Sequence, residues 1–74
     1  MSRREKHGVL YVELIMRSGQ YLTVSKIQDE LERRFGCRRD RKTIYTDIAA
    51  IERLYPIEIF KQDRKTYYRM MKEV

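Results

Sequence analysis

Asp40-Arg41-Lys42-Thr43-Ile44-Tyr45-Thr46-Asp47-Ile48-Ala49-Ala50-Ile51-Glu52-Arg53-Leu54-Tyr55 sets the terms for the rest of the chain. Asp40 is a good helix N-cap, because its carboxylate can accept from an otherwise unpaired N–H of the first turn. Ile44, Ile48, Ile51 and Tyr55 recur at spacings of four, three and four, which puts them on one helical face. Arg41, Lys42, Tyr45, Thr46 and Ala49 fall mainly on other faces. A helix that is apolar behind and basic and polar in front can enter a DNA major groove. An ordinary surface helix with a solvated charged face fits the same residues equally well.

Upstream, the spacing predicts two more helices. Residues 3–17 read as the first, with Ser2 as cap and Glu5 three residues on, a capping-box spacing. Its segment Val9–Met16 is interrupted only by Glu13, so one stripe, with Tyr11, Leu14 and Ile15, is expected on the core. The other apolar residues, among them Val9, Leu10, Val12 and Met16, then need a second cover. That cover is either the rest of the domain or a second copy of the chain. Gly8 weakens the first turns. Ser18-Gly19 ends this helix, and Gln20-Tyr21-Leu22 is a brief extended link. A second helix, capped by Thr23 or Ser25 (with Gln28 completing a capping box in the latter case), runs to about Phe35. Val24, Ile27, Leu31 and Phe35 form its apolar stripe; Asp29, Glu30, Glu32, Arg33 and Arg34 are expected to face outward. Gly36 closes it.

Downstream, Pro56 stops the helical pattern. Ile57–Phe60 and Thr66–Met71 are rich in β-formers. The polar run Lys61-Gln62-Asp63-Arg64-Lys65 makes a basic hairpin tip between them. Without Asn-Gly or Asp-Gly, no turn type is assigned. The expected fold class is therefore mainly α with a small β-hairpin: three helices and a two-stranded wing in a single domain spanning residues 1–74.

Composition narrows the function. Seventy-four residues leave room for a thin core. The single cysteine, Cys37, excludes an internal disulfide, and Cys37 and His7 do not combine into a zinc or nucleophile–base set. They read as a packing residue and a surface residue. No paired-carboxylate cleft or phosphate-binding glycine loop suggests an enzyme. No apolar run approaches a membrane span and no signal peptide is visible, so a cytoplasmic setting is expected. The formal net charge of +6 points to a polyanion. The placement says more: Arg33, Arg34, Arg38, Arg39, Arg41 and Lys42 crowd one decade, and Lys61, Arg64, Lys65 and Arg69 form a second group.

Thr23-Val24, then Lys42-Thr43-Ile44-Tyr45-Thr46-Asp47-Ile48, then Tyr55-Pro56-Ile57 stand in register across nearly the whole chain. In this the chain resembles the winged helix-turn-helix module that opens WYL-domain and DeoR-type bacterial transcription regulators. The resemblance implies double-stranded DNA as partner, with residues 41–54 in the major groove and the tip 61–65 on the backbone or minor groove. Three departures matter. The turn Gly36-Cys37-Arg38-Arg39 is longer than the family's, with arginine where an apolar residue usually packs. Thr46 replaces a family arginine. No effector domain follows, which is more like small phage or mobile-element regulators.

Arg41 and Lys42 are the expected major-groove or phosphate contacts. Thr43 can donate to a phosphate or assist the cap. Tyr45 and Thr46 can reach a base or phosphate, although Tyr45 can equally pack on the wing. Arg38 and Arg39 are expected on the DNA backbone, and Lys61, Arg64 and Lys65 on phosphate or in the minor groove. Asp47, a poor neighbour for phosphate, reads as a structural partner of a nearby arginine. Ile44, Ile48, Ile51 and the wing isoleucines read as core. No cofactor or small-molecule ligand is implied. A homodimer through the first helix would read a palindromic site. A protein-interaction module on the same scaffold, such as a phage-encoded inhibitor of a host complex, is the alternative.

Overall fold

The computed structural model describes residues 3–71, with side chains from residue 8 onward. The expected Ser2–Glu5 capping box and the surface position of His7 rest on parts outside the described residues. Helices α1 (Arg3–Met16), α2 (Val24–Phe35) and α3 (Arg41–Glu52) precede strands β1 (Ile57–Gln62) and β2 (Lys65–Met70). The helices pack on one another in all three pairings, and the strands form an antiparallel hairpin. The architecture is the expected one; α3 ends two residues before the predicted boundary at 54.

The buried face of α1 differs from the expected one. Val12, Ile15 and Met16 are in the core, whereas Leu14 and Leu10 are about half exposed. A segment that is apolar nearly all round carries no periodicity to fix its facing, so tertiary contacts decide it. Gly8 is one of these. A Cβ at Gly8 would collide with the guanidinium of Arg39. The glycine that weakens the helix locally is therefore what lets α1 approach the turn before α3. On the flank, Tyr11 stacks parallel on Phe35 with centroids 4.3 Å apart. At the helix end, the Tyr55 hydroxyl donates to Glu13 at 3.2 Å, and Arg17 also binds Glu13. These bonds tie the exit of α3 to α1.

Helix α2 is capped by Thr23, whose hydroxyl accepts from the Lys26 N–H. The Ser25–Gln28 box does not form: Gln28 donates instead to the Arg39 carbonyl at 2.9 Å. Gly36, at φ 61°, takes the left-handed conformation that ends the helix. Glu30 corrects the sequence reading. It turns inward and is buried, within reach of Lys26, Arg33 and Arg34. The three cations offset the cost of burying one carboxylate.

In the hairpin, Ile57 pairs with Met70, Ile59 with Tyr68, and Gln62 with Lys65. The tip is thus a two-residue turn, with Asp63 at φ 53° and Arg64 at φ 66°. Two successive positive φ values match the type I′ turn, whose twist suits a hairpin and which usually carries glycine. Leu22 exchanges two backbone hydrogen bonds with Tyr68, at 2.8 and 2.7 Å. The supposed link is therefore a short third strand that covers the edge of β2. Ile57 is partly buried, but Ile59 is half exposed and is not core.

The turn yields a prediction. Arg64 holds a left-handed conformation that disfavours any residue with a Cβ. Arg64→Gly is expected to stabilise the chain by about 1 kcal/mol and raise its melting temperature by roughly 4–8 °C, while removing one wing cation. Thermal unfolding by circular dichroism checks this; a lowered midpoint would contradict it.

Candidate nucleic-acid interface

Helix α3 is set by its two ends and its back. Asp40 accepts from the Thr43 N–H at 2.9 Å. Ile44, Ile48 and Ile51 are buried behind. Asp47 joins them: it is 3% exposed and takes two hydrogen bonds from Arg39, at 2.6 and 2.9 Å. The expected arginine partner of Asp47 is thus Arg39. This overturns the placement of Arg39 on the DNA backbone, because its side chain is only 9% exposed. The arginine that replaces an apolar packing residue packs all the same, by pairing with a buried carboxylate.

The neighbouring Arg38 points the other way, with its side chain 88% exposed beside Glu32. It lines a shallow groove with Thr43 and Thr46 on one side of α3. Thr46 donates its hydroxyl to the Lys42 carbonyl at 3.2 Å. Thr43 is half-buried, so both of its expected roles keep a physical basis. On the other side of α3, a second groove is lined by Arg41, Tyr45, Arg64, Lys65 and Thr66, together with Thr23 and Ser25. This groove brings the recognition helix and the wing tip together. Lys42 and Lys61 are exposed beyond it, although Lys61 pairs across the ladder with Thr66. Tyr45 fits both of its expected roles. It is 50% exposed and its ring meets Tyr68 of the wing edge-on at 6.5 Å. Burial raises the pKa of the Tyr68 phenol.

The charges separate into two populations. Arg17, Lys26, Arg33, Arg34, Arg38, Arg39 and Arg69 each face a carboxylate within the chain. Among the described residues, Arg41, Lys42, Lys61, Arg64 and Lys65 make no ion pair; of the remaining cations only Arg53 shares that state. Sequence clustering could not separate these populations, because Arg33 and Arg34 look no different from Arg41 in composition.

Sequence reasoning passed over Ser25. Its hydroxyl accepts from the Arg41 guanidinium at 2.8 Å and so orients that side chain toward the groove. The signal was present: Thr23 and Ser25 cannot both cap one helix, and the spare hydroxyl is free for other work.

The chain matches no protein-family model and no curated protein. It does match the solved structure of FurB from M. tuberculosis, a zinc uptake regulator, with a TM-score of 0.76 and 18% identity. The match covers 95% of this chain and 55% of FurB. The fold is a winged helix-turn-helix. The winged helix spans a little over half of the FurB chain, and at this identity the likeness extends to fold alone. Among the described residues, no group of three or more histidine, cysteine, aspartate or glutamate side chains could hold a metal ion. No described helix is long and apolar enough to cross a membrane.

The cap of α3 gives the interface a pH dependence. Hydrogen bonds from the Thr43 side chain and backbone are the main reason the Asp40 carboxyl lies below its ordinary range. Glu30 is also lowered: burial acts to raise it, but Arg33 and Lys26 outweigh that effect. A depressed carboxyl contributes fully above its unfolded value, around pH 4, and the contribution is lost as pH falls through the folded value. Asparagine caps about as well as aspartate. Asp40→Asn is therefore expected to leave stability at neutral pH nearly unchanged and to flatten part of the acid transition. Acid titration followed by circular dichroism checks this; superimposable acid curves would contradict it.

Proposed function

We propose that this chain is a transcriptional regulator that binds double-stranded DNA. Helix α3 enters the major groove, and the wing tip, residues 61–65, lies on the backbone or in the minor groove. The observation that carries this reading is the segregation of charge. The cations without an internal carboxylate gather on the exposed start of α3 and the wing tip, Arg53 apart. Duplex DNA is the densely charged partner that such a surface suits. Phosphate contacts fall to Arg38, Thr43, Lys61, Arg64 and Lys65, and base-edge contacts to Arg41, Lys42, Tyr45 and Thr46.

The sequence resemblance to WYL-domain and DeoR-type modules supports the reading at the level of scaffold. In Thr43-Ile44-Tyr45-Thr46-Asp47-Ile48 the shared residues are largely the ones that hold the helix: two core isoleucines and the aspartate that locks Arg39. The half-exposed Leu10 and Leu14 on α1 support a homodimer through this helix. Such a dimer would place two recognition helices about 34 Å apart on a palindromic site. The same two leucines support the second reading, a module that docks another protein through α1.

Titration of a fluorescent mixed-sequence duplex at low salt tests the proposal. Saturable binding is expected. Its absence, together with capture of a protein partner that is lost in Leu10→Asp/Leu14→Asp, would favour the second reading.

A further inference from the structure

We propose that the outer face of the wing binds unpaired bases of single-stranded DNA by stacking. Strand alternation puts Phe60 and Tyr67, a cross-strand pair, on the face opposite Tyr68. Their rings are 6.1 Å apart, and Tyr21 adds a third ring 5.8 Å from Phe60. Tyr21 and Phe60 are 46% and 43% exposed, although aromatic rings on a domain this small would ordinarily serve its core. None of the three belongs to the duplex groove.

The polar groups around the rings indicate what the face accepts. Lys65 and Arg69 lie two residues either side of Tyr67 on the same strand face, so cations bracket the rings. Arg69 also lies over the Tyr21 ring, 5.3 Å from its centroid, and contacts Glu58 at 3.4 Å. Glu58 neutralises that end, where the Tyr21 hydroxyl also binds it. The other end, at Lys65, stays cationic and runs into the basic tip. Flat apolar rings with a cation alongside fit a polyanion that carries exposed π-faces. A duplex does not offer those faces, because its bases are stacked on one another. A second copy of the chain fits poorly, since two faces brought together would oppose two basic tips.

This inference does not depend on duplex recognition by α3. The chain contains no tryptophan. Phe60→Trp therefore installs a lone fluorescent reporter that keeps a stacking ring. Titration of this variant with a thymidine oligomer of about twelve nucleotides at low salt is expected to quench its emission, and a blunt duplex is expected to leave it largely unchanged. In the full chain, Phe60→Ala/Tyr67→Ala is expected to weaken thymidine-oligomer binding at least about tenfold. Its duplex affinity and helical spectrum are expected to match the wild type. Unquenched tryptophan, or oligomer binding that survives the double substitution, would overturn the proposal. Equal loss of oligomer and duplex binding would overturn it too, as would concentration-dependent self-association abolished by the same substitutions. Tighter binding of a uridine oligomer would overturn the assignment to DNA.

Discussion

Asp47→Ala is expected to cost about 3–5 kcal/mol, the range for breaking a buried ion pair from one side. It leaves the Arg39 guanidinium buried against Gly8 without its carboxylate. A chain of this size has a stability of roughly 4–11 kcal/mol, so the substitution removes a large share of it. The melting temperature should fall by well over about 10 °C, and the protein should be partly unfolded near body temperature. Urea unfolding gives the cost directly. The companion variant Arg39→Met/Asp47→Leu removes both charges and fills the space with apolar atoms. It should recover most of the loss, because the penalty lies in the orphaned charge more than in the pair. It should also bind duplex DNA like the wild type, since Arg39 does not face the groove. A cost below about 1 kcal/mol for Asp47→Ala would mean that Arg39 finds water, and that the α1–turn–α3 junction is looser than its 2.6 Å contact indicates.

The largest effect on binding is expected from Arg41→Glu/Lys65→Glu. These side chains line one groove from opposite sides and make no internal ion pair. Reversing them should therefore disturb the fold by no more than about 0.5 kcal/mol, while placing two anions against phosphate. Duplex affinity should fall at least about a hundredfold at low salt. Neutralising pairs separate position from total charge. Arg41→Gln/Lys65→Gln and Arg33→Gln/Arg34→Gln both lower the formal net charge from +6 to +4. The first should weaken binding strongly and the second only slightly, because Arg33 and Arg34 serve Glu30. Equal effects would reduce the interaction to non-specific attraction by a basic chain.

The parts of this molecule that the sequence revealed are those where local chemistry acts alone. Asp40 caps because of its own carboxylate, Gly36 ends a helix because of its own backbone, and Ile44, Ile48 and Ile51 declare a face by spacing. The misreadings fall where one position depends on another far along the chain. Arg38 and Arg39 are adjacent and identical in kind; only Gly8 and Asp47, 31 and 8 residues from Arg39, decide which turns inward. The uniform apolarity of Val9–Met16 hid the true face of α1. Glu30 reads as a surface acid until three cations are folded around it. For the candidate interface, cluster positions were legible but the distinction between occupied and available cations was not. That distinction is made by carboxylates that only the fold brings near.

The most direct test is the salt dependence of binding to a mixed-sequence duplex, measured for the wild type and for Arg41→Ala/Lys65→Ala. A cationic interface releases counterions, so the logarithm of affinity should fall steeply and linearly with the logarithm of salt concentration. The double variant should show a slope shallower by about 1.8, or about 0.9 for each phosphate contact removed. Undetectable binding at low salt, or parallel lines for the two proteins, would contradict the assignment of duplex DNA to the face formed by α3 and the wing.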